Sequence, residues 1–240
     1  MDVGHEVARV LAEMRAQADP VRAEKEKRYL KSDLFHIGVT VPALRKVALS
    51  AVRTEPTRDE LVTLAEALWG VTDEGRPVHE ARMAAIEVLV KRAALLEPRD
   101  VRLAERFVRD SASWVYVDAL AEKVVGGLVL RYPDLGAVLD AWVRDPYMWI
   151  RRTAVLALLA GVRAGNPDLE RLDRFGNAVL GETGFFIRKA LGWVLRELSK
   201  KDPEWVVAWV LPRTGVLSGV TLREAARRLP EEDAALILNR

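Results

Sequence analysis

Apolar residues recur along this chain at steps of three and four, almost from end to end, and seldom alternate with polar ones. That period lines one face of an α-helix, whereas a strand would need a period of two. Leu61, Leu64, Ala65 and Leu68 form one such stripe, and Val101, Leu103, Ala104 and Phe107 form another. The residues around the stripes are strong helix formers, chiefly Ala, Leu, Glu and Arg. Breaks are short. Asp19-Pro20, Val41-Pro42, Glu97-Pro98, Tyr132-Pro133, Asn166-Pro167 and Asp202-Pro203 put proline where a helix can start, and Gly165 and Gly184 stand where helices can stop. The pattern predicts an all-α fold of roughly a dozen helices of about 10–18 residues, with no hairpin.

A second pattern is superimposed on the first. Lys46-Val-Ala48, Arg82-Met-Ala84, Arg152-Thr-Ala154, Arg188-Lys-Ala190 and Arg223-Glu-Ala225 each place a charged residue two before an alanine. Asp118, followed by Ala119 and Leu120, falls where the register asks for a member between Arg82 and Arg152. The positions 46, 82, 118, 152, 188 and 223 are 34–36 residues apart. Such spacing fits a repeat of one helix pair, slightly shorter than the usual HEAT unit. A single pair cannot bury its apolar face alone, so the expectation is a curved HEAT-like solenoid, one domain over residues 1–240, whose inner helices line a concave surface. The plainer alternative is that a constant polar position caps or bridges adjacent repeats.

Composition narrows the chemistry. Half of the 240 residues are apolar, enough for a large core, and 37 basic against 35 acidic residues leave a net charge of +2. That balance excludes a disordered polyelectrolyte and a uniformly basic binder. Cysteine is absent, which removes disulfides, thiolate metal sites and a cysteine nucleophile. Three histidines, His5, His36 and His79, are scattered without ligand spacing, so no metal and no cofactor is expected. The longest apolar run, Ala154 to Val162, is far short of a membrane span, and the acidic N-terminus is unlike a secretory signal, so a cytoplasmic location is expected. The charge is unevenly spread: residues 151–201 carry ten basic and five acidic side chains, net +5, and the remainder is −3.

Candidate functional residues stand out from the core pattern. Trp114 and Asp118 are four apart and share a helical face, and a carboxylate is seldom buried unpaired. Lys189, Trp193 and Arg196 share another face, and Gly192 beside Trp193 lets something approach the backbone closely. Trp69, Trp142, Trp149, Trp205 and Trp209 lie in apolar stripes and read as core. Arg171, Arg174 and Asp173 read as a solvated helix face. The run through Arg188, Lys189 and Arg196, interleaved with aromatics, is what binding to phosphates requires.

Together these segments resemble the AlkD family of alkylpurine DNA glycosylases, bacterial base-excision repair enzymes built from HEAT-like repeats. The resemblance covers nearly the whole chain: Asp19-Pro-Val-Arg-Ala-Glu with Arg28-Tyr29, Gly38-Val-Thr-Val-Pro42, Trp114-x-x-x-Asp118, Trp149-Ile-Arg-Arg152-Thr-Ala and, most specifically, Lys189-Ala-Leu-Gly-Trp-Val-Leu-Arg-Glu197. It implies Asp118 as the catalytic carboxylate, Trp114 and Trp193 as aromatic walls beside the lesion, and Arg152 as an active-site cation near a phosphate. Tyr29 and Arg196 would contact DNA, joined by Arg188, Lys189 and the rungs Lys46, Arg82 and Arg223. Ser113 departs from the family, where an aromatic often precedes the tryptophan.

The implied reaction is hydrolysis of the N-glycosidic bond of cationic purines, such as 7-methylguanine and 3-methyladenine, in duplex DNA, without flipping the base, by a monomer. The inventory suits it, because a cationic base leaves neutral and needs no general acid. One carboxylate can stabilise the positive charge that grows on the sugar and orient water. The competing reading is a non-catalytic HEAT scaffold that binds DNA or protein. A metal-dependent nuclease would need clustered acids, and the nearest to Asp118 at helical spacing is Glu122.

Overall fold

The computed structural model describes residues 1–111 and 113–239, which fall into two compact units, Met1–Glu97 and Pro98–Arg240. The first holds helices α1 (Val3–Arg15), α2 (Pro20–Leu30), α3 (Val41–Ser50), α4 (Arg58–Trp69) and α5 (His79–Lys91). Their starts follow the sequence signals. Asp19 accepts the N–H groups of Val21 and Arg22, with Pro20 as the first helical residue. Thr57 and Glu60 form a reciprocal capping box at α4. Leu61, Leu64, Ala65 and Leu68 are all fully buried, so the predicted stripe is the core face of α4.

Between α4 and α5 lies an element the period did not reveal, a hairpin of β1 (Thr72–Asp73) and β2 (Arg76–Pro77). Glu74 and Gly75 both have positive φ, 50° and 72°, the mirror-image turn that suits two-residue hairpin loops. Two-residue strands are too short to show alternation, which explains the miss. Beside the hairpin, the buried Glu80 in the first turn of α5 accepts the backbone N–H groups of Ile37, Gly38 and Val39 at 2.9, 2.6 and 3.3 Å. Gly38 has φ 89°, and a Cβ there would sit 2.1 Å from the Asp19 carbonyl oxygen. One carboxylate thus ties the link between α2 and α3 to α5.

The second unit holds α6 (Val101–Ser111), α7 (Trp114–Ala119), α8 (Gly126–Arg131), α9 (Gly136–Trp142) and α10 (Met148–Ala164). It continues with α11 (Leu169–Ala178), α12 (Phe185–Ser199), α13 (Pro203–Val210), α14 (Gly219–Ala226) and α15 (Glu231–Leu238). A π-helical segment, Leu120–Val125, joins α7 to α8. Val101, Leu103, Ala104 and Phe107 are buried, as the stripe predicts. Gly165 ends α10 in the left-handed conformation, φ 79°. Gly184, expected to stop a helix, instead precedes the first residue of α12.

The repeat register has a structural counterpart. The helices that carry the charged rungs pack in sequence, α3 on α5 in the first unit, and α7, α10, α12 and α14 in the second. Neighbouring repeats are also stitched by ion pairs: Arg45–Glu87, Arg109–Asp145, Arg171–Asp140, Arg163–Glu122 and Arg196–Glu224. Trp69, Trp142, Trp149 and Trp209 are buried, while Trp205 is half-buried and stacks on Trp209. No helix is long and apolar enough to cross a membrane among the described residues.

Candidate active site

Asp118 lies in the last turn of the short helix α7, just before the backbone loosens into the π-helical segment. Such one-turn irregularities often accompany functional positions. Its side chain is 19% exposed and is gripped by Arg152 of α10, whose side chain is 3% exposed. Arg152 Nε donates to Oδ1 and Nη2 to Oδ2, both at 2.8 Å, a bidentate fork. The remaining Nη1 donates to the carbonyl oxygen of Phe186 at the start of α12. The guanidinium carbon lies 5.7 Å from the centre of the Phe186 ring, and that ring packs on Trp149 at 4.9 Å. One buried cation therefore links three successive rung helices.

The phosphate contact expected of Arg152 does not fit its burial, with three of its five N–H groups given to partners inside the protein. What the geometry shows is a guanidinium that holds both Asp118 oxygens. The bridging of adjacent repeats, the plainer reading of the ladder, is what this rung does. The carboxylate keeps lone pairs beyond the two that Arg152 uses, so a water molecule can still be held against it. Trp114, one turn before Asp118 on the same helix, is half-buried, as is Trp193 on α12.

The other rungs differ among themselves. Lys46 on α3 and Arg223 on α14 are exposed. Arg82 on α5 is 5% exposed and stacks on Trp69 at 4.7 Å, so the phosphate contact expected of it does not fit its burial. Arg188 is half-buried, and its Nε donates to the Glu182 carbonyl oxygen at 2.7 Å. Lys189 is exposed, with its ammonium 5.7 Å from the Phe185 ring. Arg196 pairs with Glu224 and lies 6.0 Å from the Trp193 ring. Tyr29, on α2 of the first unit, is 74% exposed.

Gly192 does allow the close approach expected of it: a Cβ there would lie 2.7 Å from the Glu224 Cβ and 3.1 Å from the Thr221 carbonyl oxygen, so what comes close is α14. Arg171 and Arg174 both pair with Asp140; Arg174 is 47% exposed, whereas Arg171, read as part of a solvated face, is 17% exposed. Glu122 does not join Asp118: it is buried and pairs with Arg163 and Lys123. Phe186, which the sequence reading missed, is signalled only by standing two residues before the rung Arg188.

A family model described as DNA alkylation repair enzyme matches residues 10–229. The fold is similar to that of a predicted DNA alkylation repair enzyme from Enterococcus faecalis, with a TM-score of 0.77 at 24% identity over 90% of this chain and 98% of that one. AlkD2 from Streptococcus mutans matches with a TM-score of 0.59 at 17% identity, over 86% of this chain and 99% of that one. The Pseudomonas fluorescens alkylpurine DNA glycosylase AlkC, solved bound to DNA containing an abasic site analogue, gives 0.51 at 17% identity, over 99% of this chain and 64% of that one. No curated protein matches the sequence.

Proposed function

Since this chain belongs to the DNA alkylation repair enzyme family, we propose that it is a DNA glycosylase that hydrolyses the N-glycosidic bond of purines alkylated on a ring nitrogen. Its substrates are 7-methylguanine, 3-methyladenine and bulkier cationic adducts in duplex DNA, and it acts as a monomer. The observation that carries the reading is the forked Asp118–Arg152 pair on the rim of α7, with Trp114 one turn away.

The chemistry follows from the leaving group. A ring-alkylated purine is already cationic and departs neutral, so the site needs no proton donor. As the bond lengthens, positive charge grows on the deoxyribose, and the Asp118 carboxylate opposes it while directing water to the anomeric carbon. Arg152 lowers the net charge of the pair, but it fixes the direction of both oxygens, so no reorganisation is needed in the transition state. Trp114 and Trp193 offer π faces that attract the cationic sugar or base. Because Asp118 is partly exposed on a helix, the reading includes excision without extruding the base. Tyr29, Lys46, Arg188, Lys189, Arg196 and Arg223 would meet the backbone of the DNA.

The test is incubation with methylated duplex DNA and chromatography of the released bases, with Asp118→Asn beside the wild type. Release of 7-methylguanine by the wild type, lost in a folded Asp118→Asn that still binds duplex, supports the proposal. Undiminished release by the variant removes Asp118 from the reaction. One observation favours a second reading, a non-catalytic DNA-binding scaffold: both Asp118 oxygens are already bonded to a buried arginine, a structural use complete in itself. Duplex binding by the wild type with no released base would establish it.

A further inference from the structure

The first unit contains a group of side chains that the proposed reaction does not use. Glu26 on α2, His36 in the link to α3, and His79, the first residue of α5, each offer a ligand atom, all within 4.8 Å of one another. The imidazoles stack with centroids 4.4 Å apart and planes at 13°. The His36 side chain is 1% exposed. Its Nε2 lies 3.0 Å from Ser32 Oγ, which also accepts the Leu34 N–H. With Nε2 donating to that hydroxyl, a neutral His36 has its lone pair on Nδ1; with Nε2 accepting from it, Nδ1 carries the proton.

His36 Nδ1 faces Glu26 Oε2 at 3.6 Å, too far for a hydrogen bond, and both atoms are buried without a hydrogen-bond partner among the described residues. Two buried polar atoms left unpaired are costly, and a positive charge between them satisfies both. Arg22 does not supply it: its Nη2 approaches the other carboxylate oxygen, Oε1, at 3.6 Å. His79 is buried beside the pair, 5% exposed, and offers the third ligand atom.

We propose that Glu26, His36 and His79 form a binding site for a divalent transition-metal ion of the zinc type. His36 Nδ1, Glu26 Oε2 and one His79 nitrogen are the ligands, and a water completes the tetrahedron. Tetrahedral ligands about 2.1 Å from zinc lie about 3.4 Å apart, close to the 3.6 Å between Nδ1 and Oε2. The Ser32 hydroxyl is the kind of outer partner that fixes the tautomer of a metal-bound histidine. His36 also lines a cavity of about 420 Å³ with Lys27, Leu34, Phe35 and Arg76, a route by which an ion reaches the site. The ion would pin α2, which carries Tyr29, to the start of α5.

The chain has only three histidines, so imidazole NMR of the untagged full-length protein reads the site directly. Titration with zinc chloride should shift the His36 and His79 resonances together, saturate at one equivalent, and leave the exposed His5 unmoved. The melting temperature should rise with zinc, because an ion that binds only the folded state stabilises it. Glu26→Gln should weaken zinc binding about tenfold or more, as even an outer partner of a ligand is worth that. If His36 and His79 do not respond to zinc, or His36 is found protonated at neutral pH and indifferent to it, a proton fills the gap and the proposal is overturned. The wild-type titration decides the matter even if Glu26→Gln does not fold.

Discussion

The side chain that decides most in this protein is Arg152. Removing one partner of a buried ion pair leaves the other uncompensated, at a cost of about 3–5 kcal/mol when both are fully buried. Asp118 is 19% exposed, which lessens the cost. Arg152→Gln is therefore expected to lower unfolding free energy by about 2–4 kcal/mol in urea titrations. It should also reduce base release, because Asp118 loses its orientation. Asp118→Asn keeps the shape and removes the charge, so its expected loss of rate is about a hundredfold or more. That loss has to be measured well below the variant's melting temperature, since the same substitution weakens the fork. Trp149→Ala tests the support behind the fork: the ring packs on Phe186, and the expected cost is about 3–5 kcal/mol with activity reduced in the surviving folded protein.

At the scale of elements, the repeat works because adjacent helices approach closely at chosen positions. Gly192 on α12 faces the backbone of α14, and a methyl group there would overlap the Glu224 Cβ at 2.7 Å. Gly192→Ala is expected to cost about 1–3 kcal/mol by forcing the two helices apart, read as a lower urea midpoint with an unchanged slope. A ligand-facing glycine would give the opposite signature, intact stability with weakened DNA binding. Asp118 and Glu122, four apart across the join of α7 to the π-helical segment, pair with two different arginines of α10, Arg152 and Arg163.

Across the molecule, ion pairs join one repeat to the next at several points. Arg109 holds the Asp145 carboxyl below its usual range. For Asp140 burial works in the other direction, but Arg171 and Arg174 outweigh it and the net shift is again downward. A carboxyl with a lowered folded-state pKa contributes stability that is present above its unfolded value and lost as pH falls through the folded one. Stability of the second unit should therefore hold at neutral pH and decline below about pH 4, the region of unperturbed carboxylates. Asp145→Asn should flatten that decline, with an effect at pH 7 of about 1 kcal/mol or less, because Arg109 is 41% exposed. Thermal melts from pH 7 to pH 3 check both. If the exposed basic residues contact phosphates, log K for duplex DNA falls with log salt by about 0.9 per contact. A flat salt response would argue against a DNA partner.

The sequence by itself determined the helical class, the core stripes and the repeat, because each is a periodic property repeated over many residues. It also marked Trp114, Asp118, Arg152 and Trp193 as unlike their apolar surroundings. What each charged rung does was decided only by the tertiary structure. Lys46, Arg82, Asp118, Arg152 and Arg188 occupy equivalent positions in the register, yet one is exposed, one stacks under a tryptophan, two are locked to each other and one donates to a backbone carbonyl. Those differences depend on partners on other helices, 13 residues away for Arg82 and Trp69 and 34 for Asp118 and Arg152, beyond the reach of a local pattern. The same reason hid the approach of His36 to His79, which lie 43 residues apart in sequence. It also hid the two-residue strands of the hairpin, whose pairing, not their composition, defines them.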